Sequence, residues 1–295
     1  MSTRTRIAVL LSAAVVTLAG CGEDDPTAAE PQPASGSTRH QQGRSGEESP
    51  SATAQPEVDR VTVPVYFTGD TPQGTRLYRE FRRVDGADPV GAALTLAASG
   101  DALDPDYGTL LPSGSFSTSG DATIALPDDS WTRRPAGMSE TDALLAVQQL
   151  VYTAQGVLQS RDSITFTDSS GAATQIFGIA SEDGFTAADP IETLALVSVT
   201  APESDATVSG TFTATGVSSS FEANTPWEIR DASGEVVEHG AATAEGWTDR
   251  LYPWESEVDV SGLAPGEYTF VAMTDDPSDG EGGGPTVDSK TIMVQ

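Results

Sequence analysis

Ala206-Thr207-Val208-Ser209-Gly210-Thr211-Phe212-Thr213-Ala214 runs with a period of two, the spacing of a strand with one face in a core and one in water. Read outward from there, the neighbouring stretches are of the same kind. Leu194 to Val199 is apolar and branched and leads to Pro202. Pro226 to Asp231 and Val236 to His239 flank the turn Ala232-Ser233-Gly234-Glu235. Further strands read at Ser256 to Val260, Tyr268 to Met273 and Thr286 to Val294. About seven strands at a spacing of roughly 8 to 12 residues, with no helical period among them, predict an antiparallel β-sandwich over 192–295.

The pattern differs before residue 181. Val61 to Phe67 reads as a strand closed by Gly69-Asp70-Thr71-Pro72, and Leu77 to Val84 as a second. Asp88 followed by Pro89 is an N-cap with proline at the first helical position. The helix they open carries Val90, Ala93, Leu94 and Ala97 on one stripe and stops near Ser99-Gly100. Ala122 to Leu126 predicts a third strand. Ser139 with Asp142 forms a capping box for a helix bearing Ala143, Ala146, Val147, Leu150, Val151 and Ala154. Ser163 to Thr167 and Thr174 to Phe177 are expected as a closing hairpin around Asp168-Ser169-Ser170-Gly171. Residues 59–180 therefore predict an α+β domain, a mixed sheet with two helices on one face. Residues 181–191, with Glu182-Asp183-Gly184 and Asp189-Pro190, are expected to link it to the sandwich.

Upstream, residues 22–58 hold Pro, Ala, Ser, Gly, Gln, Thr and charge without an aromatic side chain. Such a segment cannot bury enough surface to offset its ordering entropy, and it is expected to be a disordered tether with a mean reach of roughly 30 to 35 Å. Before it, Arg4 and Arg6 precede an apolar run from Ile7 to Leu18, the form of a secretory signal over residues 1–20. The run is shorter than the roughly 20 residues a spanning helix needs. The chain has a single cysteine, Cys21, so an intrachain disulfide is impossible. Its 44 acidic residues outweigh 15 basic ones for a formal charge of −29, and 14 of those basic residues are arginine. That balance repels phosphate backbones, which argues against nucleic acid as a partner.

Four resemblances build on these residues. Leu18-Ala19-Gly20-Cys21 resembles the lipobox of bacterial lipoproteins, which implies cleavage before Cys21 and a diacylglyceryl group on its sulfur, and hence a membrane-anchored chain outside the cytoplasm. Val65-Tyr66-Phe67, Leu77 to Glu80 with Arg82 and Val84, Leu111-Pro112-Ser113-Gly114, Gln148 to Thr153 and Ile164 to Gly171 together resemble the GerMN domain of sporulation and germination proteins. Leu263-Ala264-Pro265-Gly266-Glu267-Tyr268 looks like the tyrosine corner of immunoglobulin-like and fibronectin-like sandwiches, which would make Trp227 a core tryptophan. With Phe221-Glu222-Ala223-Asn224 and a glycine-rich C-terminal loop, the second domain resembles the Ig-like domain found behind GerMN in germination-associated lipoproteins. The tandem implies docking to cell-envelope proteins or a wall polymer.

Few residues offer chemistry. Arg76, Arg79, Arg82 and Arg83 are the one basic concentration, either a contact for an acidic partner or a solvated face neutralised by Glu80, Asp85 and Asp88. Trp247, Tyr252 and Trp254 are expected either to pack in the core or to form an exposed platform for a glycan or peptide. Two acidic stretches, Asp101 with Asp104 and Asp106, and Asp275 and Asp276 with Asp279 and Glu281, raise calcium, but neither fits the twelve-residue calcium loop. His40 and His239 are the only histidines, which leaves little material for a catalytic triad or a zinc site. The expectation is a lipid-anchored, non-catalytic docking module without cofactor or metal. A membrane-tethered glycan- or solute-binding module is the alternative.

Overall fold

Arg60–Thr71 forms β1 and Gly74–Asp85 forms β2, a long antiparallel hairpin in the computed structural model, which describes residues 59–120, 122–276 and 283–295. Its inward side chains Val63, Val65 and Phe67 are buried against two helices. The first, α1 (Pro89–Ser99), starts where Asp88 accepts from Gly91 N and ends at Gly100 in the left-handed conformation with φ 69°. Three short strands follow or surround the second helix: β3 (Ser117–Thr118), β4 (Thr123–Ala125) and, after α2 (Glu140–Leu158), β5 (Thr165–Thr167). Both halves of the capping box at the start of α2 are made, Ser139 Oγ accepting from Asp142 N and Asp142 accepting from Ser139 N. Ala143, Ala146, Leu150 and Ala154 line its buried face.

Two expectations for this half need correction. The strands do not form one mixed sheet: the β1–β2 hairpin stands alone, and β3–β4–β5 is a separate three-stranded sheet with β4 and β5 parallel. Thr174 to Phe177 is not a strand either. Ile176 and Phe177 are adjacent and both fully buried, which a strand's alternation forbids when only one face meets a core. The chain instead turns, Phe177 adopting φ 50°, Ile179 N donating to Ile176 O and Phe177 N to Trp131 O. The Phe177 ring then stacks 5.3 Å from that of Trp131.

Residues beyond 180 stay packed on this half. Phe185 exchanges two backbone hydrogen bonds with Ile164, and Tyr152 Oη donates to Ala188 O at 2.7 Å. A single turn, α3 (Pro190–Thr193), leads to Ala195, whose N–H donates to Leu77 O at 2.9 Å.

The second half is mostly β. β6 (Val197–Ala201), β7 (Ala206–Val208), β8 (Thr211–Ser218), β9 (Asn224–Arg230), β10 (Val236–Thr243), β11 (Tyr252–Asp259), β12 (Gly266–Met273) and β13 (Val287–Val294) make two sheets, ordered β10-β9-β12-β13-β7 and β11-β8-β6. All pairs are antiparallel except β13 with β7. The tyrosine corner is made, Tyr268 Oη donating to Ala264 O at 3.0 Å. Trp227 is buried, and its indole N–H donates to Ser256 Oγ on the other sheet at 2.9 Å. Each of two tryptophans covers the glycine paired with it on the adjacent strand, Trp227 over Gly240 and Trp254 over Gly216. A Cβ at Gly216 would lie 2.4 Å from both the Trp254 ring and Ser198 O, so only glycine fits there.

Candidate functional site

The contact between the two halves is built from β2 outward. Leu77 and Tyr78 are buried; Glu80, between two arginines in the basic stretch, is buried as well. Its carboxylate accepts from Leu103 N at 3.0 Å and Asp104 N at 2.9 Å, and Arg82 supplies the counter-charge at 3.1 Å. Glu80 thus shapes the loop after α1 so that Asp104 points at the sandwich.

There Asp104 meets Lys290, the only lysine of the chain. On β13 the inward alternation Asp288, Lys290, Ile292, Val294 places two charges in line with core residues. Lys290 Nζ lies 2.5 Å from Asp104 Oδ2, 2.7 Å from Tyr107 Oη and 2.9 Å from Asp288 Oδ1. An ammonium has three donors, and three acceptors converge on it. A planar guanidinium would not satisfy that arrangement, which accounts for a lysine in a chain that otherwise uses arginine. Asp288 in turn receives Tyr107 Oη at 2.7 Å and Val199 N at 2.5 Å. Burial opposes the Lys290 charge, but the Asp288 and Asp104 carboxylates outweigh it and hold the ammonium above its ordinary range. Burial holds the Asp288 carboxyl above its ordinary range, by more than Lys290 and the donors around it draw it back. Three donors around Asp288 are the surroundings of an ionised carboxylate, so the pair is ionised. The Tyr78 and Tyr107 rings stack at 4.8 Å beside it, both phenols raised chiefly by burial and then by the charge of Asp288. Tyr78 Oη donates to Val287 O at 2.9 Å, and Thr286 Oγ1 donates to Gln73 Oε1 at 3.1 Å.

The candidate residues separate on this frame. Arg82 is 14% exposed and engaged by Glu80 and the Asp101 carbonyl, which leaves little of its guanidinium for a partner. Asp85 and Asp88 do not neutralise the arginines: they accept from Ala87 N and from Gly91 N and Thr118, as turn and helix caps. Arg79 is half-buried against the sandwich, its NH2 donating to Thr200 Oγ1 at 3.3 Å. Arg83 is exposed and Arg76 partly so. Trp254 is 3% exposed, which removes it from any surface platform. Its strand begins at Tyr252, and Trp254 shares the inward face with Ser256 and Val258 while Glu255 and Glu257 face water. Trp247 is 40% exposed and packs edge-to-face with Phe221, 41% exposed, at 5.2 Å. In the sequence Phe221 belongs to the Phe221-Glu222-Ala223-Asn224 stretch of the Ig-like resemblance, and no local signal marks it as a surface aromatic.

Asp104 and Asp106 are held by Lys290 and Ser289, and Asp275 accepts from Asn224 Nδ2. Among the described residues no group of three or more His, Cys, Asp or Glu is placed to hold a metal ion. His239 is exposed on β10 opposite Glu228. No helix among the described residues is long and apolar enough to cross a membrane. Cys21, the leader and tether, His40, Asp279 and Glu281 lie outside the described residues.

Residues 196–281 match the family described as the immunoglobulin-like domain of bacterial spore germination. No curated protein matches the chain. Among solved structures, a crystal structure of an engineered protein is similar over 51% of this chain and 36% of its own length, at 14% identity and a TM-score of 0.25. A likeness that slight carries no argument.

Proposed function

We propose that this chain is a lipid-anchored, extracytoplasmic docking or assembly module of the cell envelope, without catalysis of its own, in which a GerMN-like half precedes the Ig-like half. The observation that carries the reading is the family match at 196–281, a domain linked to spore germination proteins. The lipobox-like Leu18 to Cys21 supports the anchor, and the order of residues shared with GerMN supports the first half. Two further features favour docking. The Lys290 network ties the halves with buried ionic contacts, and a part meant to be held in one geometry benefits from such a tie. The exposed Phe221–Trp247 pair offers an aromatic contact of the type enriched in protein interfaces.

The test has two arms. Cys21→Ser is expected to move the protein from membrane to soluble fractions, and a mutant that still sediments with membranes refutes the anchor. Crosslinking in intact cells is expected to capture envelope proteins or wall polymer, with Phe221→Ser and Trp247→Ser reducing the yield. Turnover of a wall-derived substrate by the purified chain, abolished by removing one carboxylate, would refute the non-catalytic reading.

A further inference from the structure

Three arginines from separate parts of the chain line one cavity. Arg79 comes from β2, Arg161 from just beyond the end of α2, and Arg250 from the segment entering β11. The cavity holds about 350 Å³, and no aspartate or glutamate lines it. In a chain with 44 acidic residues against 15 basic, this reverses the surrounding charge. Among the described residues none of the three arginines makes an ion pair.

Carboxylates adjacent in sequence to lining residues make their hydrogen bonds outside the lining. Asp189 caps α3 through Ile191 N, Asp249 accepts from Tyr252 Oη, and Asp162 accepts from Ser160. Arg79 donates through NH2 to Thr200 Oγ1 and lies 4.8 Å over the Phe81 ring, which leaves its buried Nε–H with no acceptor; Gln155, also in the lining, has a buried Oε1 with no donor. Arg250 is held 4.6 Å over the Tyr252 ring, so the rim cation is positioned rather than free. Arg79 and Arg161 lie close enough to Tyr66 to draw its phenol down against the burial that raises it. Three like charges around a recess with apolar walls repel one another, and a bound anion removes that cost.

The walls specify more than charge. The Tyr66 and Tyr152 rings lie 5.3 Å apart with their planes inclined by 49°, and Leu77, Leu194 and Pro190 complete an apolar side. The volume lies at the lower end of small-molecule sites, which run from roughly 300 to 1,000 Å³. We propose that this cavity binds a small organic anion, its carboxylate or phosphate head held by Arg79, Arg161 and Arg250 and its apolar body resting on Tyr66 and Tyr152. The site stands apart from docking: a chain that captured no envelope partner would still bind the anion.

Calorimetric titration of the purified full chain with benzoate and with phenyl phosphate, at fixed ionic strength, tests it. Benzyl alcohol and inorganic phosphate serve as the neutral and the body-less comparisons. Saturable heat with at least one organic anion is expected, exceeding both comparisons. Arg161→Ala and Arg250→Ala alter exposed side chains, so the melting temperature of the free protein is expected to hold while the affinity falls about tenfold for each. Arg250→Glu is expected to abolish binding. No saturable heat with either organic anion, equal binding of benzyl alcohol, equal binding of inorganic phosphate, or affinity unchanged in both rim variants would each overturn the proposal.

Discussion

Replacing Lys290 with methionine keeps an unbranched stem of similar length in the same slot and removes only the ammonium. Asp104, Asp288 and Tyr107 then lose their shared donor, and two carboxylates, 3% and 1% exposed, are left facing each other. Breaking a buried ion pair by deleting one partner costs about 3 to 5 kcal/mol. For a domain of this size each kcal/mol is worth roughly 2 to 4 °C, so Lys290→Met is expected to lower the melting temperature by about 6 to 20 °C. Lys290→Arg restores charge but not the three-way convergence, and a smaller loss of about 1 to 3 kcal/mol is expected. Adding Asp104→Asn and Asp288→Asn to Lys290→Met is expected to return part of the stability, because the uncompensated charges are then gone. Calorimetric melting of the four proteins at neutral pH measures these differences. If Lys290→Met stays within about 0.5 kcal/mol of the parent, as an ordinary surface substitution would, the network does not hold the halves together.

Alkaline pH acts on the same groups. Lys290 is held above its unfolded value by its carboxylates, and the Tyr78 and Tyr107 phenols are raised mainly by burial, so each keeps a proton that the unfolded chain releases. Their contribution is therefore complete below about pH 10 and declines as pH rises through the folded values, by about 1.4 kcal/mol per pH unit for each retained proton. Melting temperatures between pH 8 and 11 are expected to fall, less steeply in Lys290→Met; a flat profile contradicts the assignment. Gly216→Ala drives a methyl group into the Trp254 ring and Ser198 O, and a loss of about 1 to 3 kcal/mol is expected in denaturant melts, with a shifted tryptophan emission. Ser139→Ala removes one half of the capping box of α2 and is expected to cost about 0.5 to 2 kcal/mol, read in the same melts.

The features legible in the amino-acid order are those that short-range chemistry dictates. The Asp88-Pro89 start of α1, the Ser139/Asp142 box of α2 and the tyrosine corner at Tyr268 each depend on a few neighbouring residues, and each was readable, while the core position of Trp227 followed from the resemblance to Ig-like sandwiches. The strand pattern of the second half was largely readable for the same reason, since alternation is local, but Ala206 to Ala214 is two strands rather than one: β7 and β8 lie in different sheets and part at Ser209-Gly210, where Gly210 takes φ 60°. Trp254 carries a local signal as well, since Trp254, Ser256 and Val258 alternate with Pro253, Glu255 and Glu257 from Tyr252 onward. Lys290 carried a signal too, as the sole lysine two residues from Asp288 on an inward face.

Its partner carried none. Asp104 is 186 residues away, and nothing in either local pattern selects that pairing among so many acidic residues. The same holds for Arg79, Arg161 and Arg250, which share a cavity only because β2, the end of α2 and the entry to β11 are brought together. Tertiary structure alone decided that the β1–β2 hairpin stays apart from the small sheet, and that Ile176 and Phe177 turn inward together. Local propensity ranks conformations of a segment; which buried charge meets which, and which cations share a recess, is fixed by how distant segments share a limited interior.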